Sequence, residues 1–479
     1  MLFETKQPQV SFFADLRGLS LKSKQAIAFP ITPHRTLSTL EGVQMLMRIK
    51  FPCLLPLAVA LMATASTGFA KELNLWFVPL SSEGPMKVPL TKWLDDNLPK
   101  LLPGVTVSSD FGPPIYQDAQ QKFIVQGRTG KPDVIESVLE GMIAYQRAGL
   151  LEPINDLFDK WADKDQFIPS TIKALTINGK LYGVPYNTNV RVLLYRKDLF
   201  QKYGLTPPKS WDEMLKDAET ISSKESGVQG LGLTTKAGSV RTFQEFISFF
   251  FEVNNGENPY KYDEAGKKWV MNTTPEKLAE VLKLYFDCFF GSTPSAVNQN
   301  SRGNDYQATD TDYVSGKSGM VPMGPWIWQY RATGEVAKKI LEEETGVIPL
   351  PLPAGGVQAT YLEVKPISIN AFSKDKEDAW RLIQILTSKE FVAMENRLEG
   401  VNPPRKDVAE LPDFKSDWWE QAFIAQLPTG VALAPINWGL VINDITESLQ
   451  TVIYKNATPE DAGKKLYDVL AQRAANNQL

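Results

Sequence analysis

The chain has 479 residues, of which 43 % are hydrophobic and 22 % charged, with 51 Lys and Arg against 55 Asp and Glu and a single His. This length predicts two or three domains, each large enough to bury a core. The near-balanced charge argues against a nucleic-acid-binding protein, which needs a basic face. Two cysteines exclude a disulfide scaffold, and the aromatic content of 10 % excludes a disordered chain.

An export signal is predicted at Met45–Ala70. A short basic region precedes an apolar stretch over 51–63, and small residues occupy the positions that determine cleavage. We predict cleavage after Ala70, which makes the protein periplasmic. A retained N-terminal membrane anchor is the alternative, although the apolar stretch is short for a membrane span. Residues 1–44 match no part of the signal, so translation is expected to start at Met45 or Met47.

Cleavage changes which kinds of chemistry remain possible. The remaining 409 residues carry 44 basic and 52 acidic side chains, a net charge of −8, and both His34 and Cys53 are lost. Without histidine, the protein cannot hold a Ser-His-Asp triad, a Cys-His pair or a His-ligated zinc or iron site. The one remaining cysteine, Cys288, lies in an apolar helical pattern and is expected to be a buried, inert thiol. We predict no metal and no cofactor.

Strands and helices alternate along the first third of the mature chain. Apolar strand-type runs occur at 73–78, 105–111 and 132–137, and helical spacing follows the first run and again covers 141–151. This alternation predicts parallel βαβ units and an α/β fold. The segment 181–197 is apolar and β-branched around a polar centre.

Helical signals dominate the later part of the chain. Ser210 and Glu213 have the spacing of a capping box at a helix start. Helical periodicity covers 274–290 and 376–397, and the C-terminal tail predicts two more helices.

Four sequence segments, in this order along the chain, are distinctive enough to compare with known families. They are PDVIES with AYQRAGLLEPINDLF, GKLYGVPYNTNVRVLLYRKDLFQKYGLTPPKSWDEML, YVSGKSGMVPMGPWIWQY, and AWRLIQILTSKEFVAMENRLEGVNPPRKDV. Together they resemble the extracellular solute-binding proteins of ATP-driven sugar importers, the family of the maltose-binding protein. The resemblance covers most of residues 71–479.

The resemblance implies the two-lobed periplasmic-binding-protein fold of type II, with a ligand cleft between the lobes and several hinge crossings. After the N-terminal extension and signal (1–70), lobe one would comprise 71–187 with 355–405, and lobe two 190–350 with 406–479. The hinge would lie near Asn187–Arg191 and again near 350–356 and 403–408.

The same resemblance, with sugar chemistry, suggests ligand residues. A sugar-binding site needs aromatic rings that stack on the sugar and polar side chains that form paired hydrogen bonds with its hydroxyls. Trp326 in the GPW string and Trp438 in APINWGL match cleft aromatics of the family, although most Trp residues in any fold belong to the core. Trp328 is expected to be structural.

Polar candidates come from predicted loops at the cleft. Glu136, Ser137 and Glu140 follow a lobe-one strand; the maltose binder has an aromatic where this chain has Ser137, so the first subsite should differ. The alternative for Glu140 is a solvated acid at a helix N-terminus. The remaining candidates lie in the hinge string and in the first βα loop of each lobe, where open α/β sheets bind ligands: Asn187, Asn189, Ser82, Glu83, Arg241 and Phe243.

The resemblance and the export signal together imply that the protein is the substrate-binding component of an ABC sugar importer. Such a protein is expected to be a monomer that captures a small-molecule sugar or glycoside by hinge closure and delivers it to membrane permease subunits. An uncharged mono- or disaccharide or a glycoside osmolyte such as glucosylglycerol, trehalose or sucrose is expected. The alternatives are a secreted glycoside hydrolase with a carboxylate pair and a metal-capturing binder of the same fold that uses Tyr and carboxylates.

Overall fold

The structure of the protein is a computed structural model that describes residues 71–81, 84–109 and 112–479. The predicted export signal, the residues before it, and the candidate ligand residues Ser82 and Glu83 lie outside the described residues. Within those ranges, no helix combines the length and the apolar character that crossing a membrane requires.

Fourteen strands occur in the described residues, and most of them are short. They are β1 (Lys71–Trp76), β2 (Val105–Ser108), β3 (Val134–Glu136), β4 (Thr176–Ile177), β5 (Lys180–Leu181), β6 (Val184–Val190), β7 (Val192–Arg196), β8 (Gln229–Leu231), β9 (Tyr260–Asp263), β10 (Lys268–Met271), β11 (Ser318–Met323), β12 (Thr345–Ile348), β13 (Thr360–Ile369) and β14 (Gly430–Val431).

Nineteen α-helices occur in the same residues. They are α1 (Val78–Ser81), α2 (Lys87–Leu101), α3 (Tyr116–Gln126), α4 (Leu139–Arg147), α5 (Asn155–Phe158), α6 (Pro169–Ala174), α7 (Lys197–Tyr203), α8 (Trp211–Lys224), α9 (Val240–Val253), α10 (Pro275–Phe290), α11 (Tyr306–Val314), α12 (Glu335–Lys339), α13 (Lys376–Leu386), α14 (Lys389–Glu399), α15 (Lys406–Ala409), α16 (Pro412–Ser416), α17 (Trp418–Ile424), α18 (Trp438–Ile453) and α19 (Pro459–Ala475).

The first of two mixed sheets has six strands in the order β14-β13-β3-β1-β2, with β6 also paired to β13. β1 runs parallel to β2 and β3, whereas the fully buried β13 runs antiparallel to β3 and β6. Helices α2, α4 and α13 pack on this sheet. The parallel strands β1 and β3 end at one edge, so the residues that follow them face the same region of the molecule.

The second sheet has four strands in the order β12-β7-β11-β8, in which β7 is antiparallel to both neighbours and β11 is parallel to β8. Helix α8 packs on this sheet, and α10 joins α9, α18 and α19 in one helical layer. Each sheet with its helices is called a lobe below, the first and the second respectively. The α/β class and the two-lobed fold agree with the sequence prediction.

Arg191 is the single residue between β6 in the first sheet and β7 in the second. The chain returns from β12 to β13 through residues 349–359 and therefore crosses again from the second sheet to the first. β14 then pairs with β13 in the first sheet, although the sequence prediction gives all of 406–479 to the second lobe. The lobe and hinge boundaries stay predictions.

Several local predictions are confirmed. Ser210 Oγ accepts a hydrogen bond from the Glu213 amide at 3.2 Å and caps α8 as the predicted capping box requires. Glu213 Oε2 accepts from the Lys209 amide at 2.6 Å, one residue before the cap. Cys288 is buried within α10. Burial raises the pKa of its thiol, which keeps the sulfur protonated and unreactive.

The helical periodicity predicted over 376–397 is confirmed, but it covers two helices. The structure has two helices, α13 and α14, because Ser388 Oγ accepts a hydrogen bond from the Phe391 amide at 3.2 Å and caps a new helix. Both helices bury an apolar face, so the periodicity continues through the break and hides it.

Candidate ligand-binding cleft

Polar side chains from both lobes meet at Arg191, which is only 1 % exposed. Its Nη2 donates to Glu363 Oε2 at 2.9 Å and to Gln244 Oε1, and its Nη1 donates to Asn189 Oδ1. Glu363 belongs to β13 of the first lobe, whereas Gln244 belongs to α9 beside the second. The guanidinium that lies between the two sheets therefore contacts both lobes.

Trp326 lies beside this arginine in the 3-10 segment Pro325–Thr333. The guanidinium carbons of Arg191 and Arg241 lie over its ring, 4.5 and 4.6 Å from the centroid. Its indole Nε1 donates to Asp310 Oδ2 at 3.2 Å. A Cβ at Gly324 would lie 1.7 Å from Trp326 Cζ3, so the glycine of the GPW string allows the ring to fold back over the backbone.

Arg241 and Asp310 each keep one polar atom without a hydrogen-bond partner. Arg241 donates through Nε to Glu245 Oε1 at 3.3 Å and through Nη2 to Pro322 O at 2.8 Å, whereas its Nη1 has no partner. Asp310 Oδ1 and Arg191 Nε also have none. A buried polar atom without a partner costs about 1 to 3 kcal/mol, so a polar solute that supplies partners here gains affinity.

The first-lobe wall contributes Glu140, at the start of α4. Gln244 Nε2 donates to Glu140 Oε1 at 3.2 Å. Burial, together with the nearby charge of Glu363, raises the pKa of Glu140 to about 7, and the hydrogen bond from Gln244 only partly opposes the shift. Glu140 is therefore buried beside Gln244, and the alternative of a solvated helix acid is wrong.

The acids of the cleft differ in their protonation. Burial raises the pKa of Asp310 to about 6, although the charge of Arg241 and the Trp326 hydrogen bond oppose the rise. Burial acts on Glu363 in the same direction, but the charges of Arg191 and Lys365 hold the pKa of Glu363 below its usual value. Glu363 is thus the ionised partner of Arg191, and Asp310 and Glu140 titrate close to neutral pH.

The carboxylate of Glu136, another predicted ligand residue, already accepts hydrogen bonds from other residues of the protein. Glu136 Oε1 accepts from the Tyr116 hydroxyl at 2.5 Å and from the Tyr186 hydroxyl at 2.7 Å, and Oε2 accepts from the Val78 amide at 3.1 Å. Burial raises the pKa of Glu136 to about 7 against the charge of Lys365. These contacts make Glu136 a structural support of the first-lobe wall.

Asn187 and Ser137 are also buried in the first lobe. Asn187 Nδ2 donates to Glu395 Oε1 at 3.4 Å and to Glu399 Oε2 at 3.3 Å. The Ser137 amide donates to Pro366 O at 3.2 Å, while its hydroxyl has no hydrogen-bond partner. Of the predicted residues on this side, Glu140 and Asn189 therefore contact the Arg191 network most directly.

The structure places two predicted ligand rings in the core. Phe243 and Trp438 are 0 % and 1 % exposed, and their ring centroids lie 5.2 Å apart. Trp438 Nε1 donates to Ala434 O at 2.7 Å. Trp328 is structural as predicted, since it stacks on Trp419 with centroids 4.8 Å apart.

Sequence reasoning missed five residues of the cleft, namely Arg191 as a contact residue, Gln244, Asp310, Tyr361 and Glu363. One signal was available, because Arg241, Gln244 and Glu245 have the i, i+3, i+4 spacing that places polar side chains on one face of a helix. No local motif marks Asp310 or Glu363. The described residues contain no group of three or more His, Cys, Asp or Glu placed to hold a metal ion.

Comparisons with known proteins give the family. The model of the family described as "bacterial extracellular solute-binding protein" matches residues 104–421. A Brucella abortus (strain 2308) protein named only as a binding protein is 27 % identical over 415 residues, covering 84 % of this chain and 93 % of the relative.

Solved structures share the two-lobed fold. The maltose-bound T. maritima MalE3 has a TM-score of 0.71 and 23 % identity, over 84 % of this chain and 99 % of that one. A solute-binding protein of an ABC transporter from Agrobacterium vitis S4, solved with bound D-mannitol, has a TM-score of 0.67 and 20 % identity, over 85 % and 99 %. With the family match over most of the described residues, the chain belongs to the bacterial extracellular solute-binding proteins.

Proposed function

We propose that the protein is the substrate-binding component of an ABC sugar importer and that it captures an uncharged mono- or disaccharide or a glycoside osmolyte. One observation carries the proposal. Around Trp326, Arg241 Nη1 is a buried donor without a partner and Asp310 Oδ1 a buried acceptor without one. Neighbouring sugar hydroxyls can accept and donate at once and would satisfy both.

The charge balance of the site favours a neutral ligand. The two arginines beside Trp326 are each paired with a carboxylate: Arg191 with Glu363, and Arg241 with Glu245. The site therefore offers no unbalanced positive charge to a phosphate. The maltose and D-mannitol bound by the structural neighbours are neutral polyhydroxylated molecules and support this class.

Hinge closure is the proposed mechanism. Glu140 lies on the first lobe, and Trp326, Arg241 and Asp310 lie on the second, so a solute between them would contact both lobes. Such contacts shift an open–closed equilibrium toward the closed form. Periplasmic export with cleavage after Ala70, and delivery to permease subunits, complete the proposed role. N-terminal sequencing of the protein from the producing cell should find Lys71 first.

A thermal-shift screen over neutral sugars, polyols and glucosylglycerol-type glycosides tests the proposal. A bound solute stabilises the protein by RT ln(1 + [L]/Kd), so the cognate solute raises the melting temperature and unrelated sugars do not. If every sugar and polyol of the panel leaves the melting temperature unchanged, the proposal fails. Recovery of a cleaved glycoside from the incubation would instead favour the hydrolase alternative.

Trp326→Ala then tests the site with the solute that the screen finds. Calorimetry should show binding weakened by about 2 to 4 kcal/mol, as for a central aromatic anchor. Trp418→Ala is the matched control, because Trp418 is 44 % exposed and packs against Trp328 and Trp419. Normal affinity in Trp326→Ala, with a strongly lowered melting temperature, would make Trp326 a core residue.

A further inference from the structure

An open cavity of about 600 Å³ lies in the second lobe. Its volume is in the range of small-molecule sites. The ends of α8 and α10, the loop 292–299 and Lys455 line it, together with Gln229 at the start of β8. The cavity shares no lining residue with the cleft around Arg191 and Trp326.

The cavity and the cleft lie at opposite edges of the second sheet. β8 and β11 run parallel, and their first residues, Gln229 and Ser318, pair with each other and are joined by a hydrogen bond of 3.1 Å between their side chains. Trp326 instead follows the last residue of β11, Met323. A strand of 6 residues spans roughly 17 Å. The two sites are therefore about one strand length apart and can be occupied at the same time.

The loop 292–299 satisfies the last carbonyls of α10. Cys288 O accepts a hydrogen bond from the Val297 amide at 3.0 Å, and Phe289 O accepts one from Gln299 Nε2 at 2.5 Å. A helix C-terminus attracts cations because its last carbonyls lack partners within the helix. Since the loop already caps these two carbonyls, the end of α10 does not by itself account for the cations around the cavity.

Two cations lie at the aromatic wall of the cavity. Lys455 Nζ is 4.0 Å from the centroid of the Phe290 ring, and the guanidinium carbon of Arg302 is 5.2 Å from it. Neither cation forms an ion pair with a carboxylate in the described part of the chain, and Arg302 Nε is buried there without a hydrogen-bond partner. The two side chains therefore bring positive charge that no described carboxylate pairs with.

The rest of the lining adds hydrogen-bond donors rather than negative charge. Glu225, the one acid among the lining residues, pairs with Lys202 and accepts from the Tyr203 hydroxyl at 2.6 Å. Asn298 Oδ1 accepts from the Asn300 amide at 2.9 Å, whereas no described group accepts from Asn298 Nδ2. Cations and free donors together suit an anionic oxygen, since hydrogen bonds to a charged group are roughly twice as strong as neutral ones.

We propose that the cavity is a second ligand site, which takes a small organic anion, either a carboxylate or a phosphate ester. Its anionic group pairs with Lys455 and accepts from Asn298 Nδ2, and Arg302 adds a second positive charge beside Phe290. The cavity is far larger than an inorganic ion, so the organic part of the ligand fills the remaining space. Because the cavity lies a strand length from the cleft, the assignment stands whether or not the protein captures a sugar.

Calorimetric titrations of the protein test the site with defined probes. Glycerol 3-phosphate and benzoate represent the two classes of organic anion, and inorganic phosphate is the anion without an organic part. We expect at least one of the two organic anions to bind with a stoichiometry of one, and more tightly than inorganic phosphate. If neither organic anion binds, or if inorganic phosphate binds as tightly as both, the assignment is overturned.

Charge reversal then locates the bound anion. Lys455 is exposed, so its substitution leaves the core intact, and Lys455→Glu should weaken anion binding about tenfold or more whereas Lys455→Arg should retain it. Lys465→Glu is the matched control, because Lys465 is exposed on α19 and does not line the cavity. Trp326→Ala should bind the anion as the parent does.

Two results would overturn the assignment at this stage. Anion affinity in Lys455→Glu within twofold of that in Lys465→Glu would show that the anion does not pair with Lys455. Anion binding lost in Trp326→Ala would place the anion in the cleft. Absence of sugar binding, in contrast, would refute the proposed function and leave the second site intact.

Discussion

Gly324→Ala tests whether the GPW string builds the ligand wall through the Trp326 ring. The added Cβ would lie 1.7 Å from Trp326 Cζ3 and 2.4 Å from both Cε3 and Cη2, far inside van der Waals contact. The backbone at Gly324, with φ −101° and ψ 173°, suits alanine. The backbone can therefore stay in place, and the indole must move.

Displacement of the ring affects both the stability of the protein and its affinity for the solute. Displacement removes two cation–π contacts, with Arg191 and Arg241, each contributing about 0.5 to 2 kcal/mol. It also removes the hydrogen bond to Asp310, which contributes about 1.5 to 3 kcal/mol because its acceptor is a carboxylate. These contacts are made within the protein, so their loss lowers the free energy of unfolding. The affinity falls because the displaced indole no longer presents its ring to the solute, and for a central aromatic anchor we expect binding weakened by about 3 kcal/mol, roughly 100-fold.

Calorimetry with the cognate solute measures this loss, and tryptophan fluorescence reports the displaced ring. Gly334→Ala is the matched control, because its Cβ would meet no atom within 4 Å. We expect native affinity in that variant. Affinity within twofold of the parent in Gly324→Ala, together with an altered fluorescence spectrum, would show that the ring position does not matter for binding.

Three further predictions concern charge and burial. Because the pKa of Glu140 is raised to about 7 in the folded protein, the free energy of unfolding should fall as pH rises from about 4.5 to about 7. Urea titrations of Glu140→Gln should show that about 3 kcal/mol of this fall is lost. A pH profile equal to that of the parent would contradict the burial of the acid. Arg405 is 1 % exposed and donates to Asp163, Asp407 and Thr387 O, so Arg405→Met should lower the free energy of unfolding by about 3 kcal/mol, and a loss below about 1 kcal/mol would mean that these contacts contribute little. Cys288 should react with a thiol reagent only after denaturation, and rapid reaction of the native protein would place the thiol at the surface.

Local signals in the sequence predicted local structure well. The Ser210 capping box, the helix that contains Cys288 and the strand–helix alternation depend on neighbouring residues, so spacing alone identifies them. The same reasoning failed between α13 and α14, because two consecutive helices that bury the same kind of face keep one apolar period. Only the cap at Ser388 separates them.

The cleft depends on contacts between distant parts of the chain, and the sequence predicted it less completely. Arg191 meets Glu363 from 172 positions away, and no spacing rule reports such a pair. Asp310 accepts the hydrogen bond from the Trp326 indole only because the Trp326 ring folds back over Gly324. Phe243 and Trp438 are large apolar rings that suit a core as well as a sugar face, and the structure packs them together.

A crystal structure with the solute from the thermal-shift screen tests the central claim most directly. The account predicts a small polyhydroxylated solute between the lobes, with hydroxyls within hydrogen-bond distance of Arg241 Nη1 and Asp310 Oδ1 and with at least one contact to Glu140 on the first lobe. A solute bound to one lobe alone, or away from Trp326, would contradict the account.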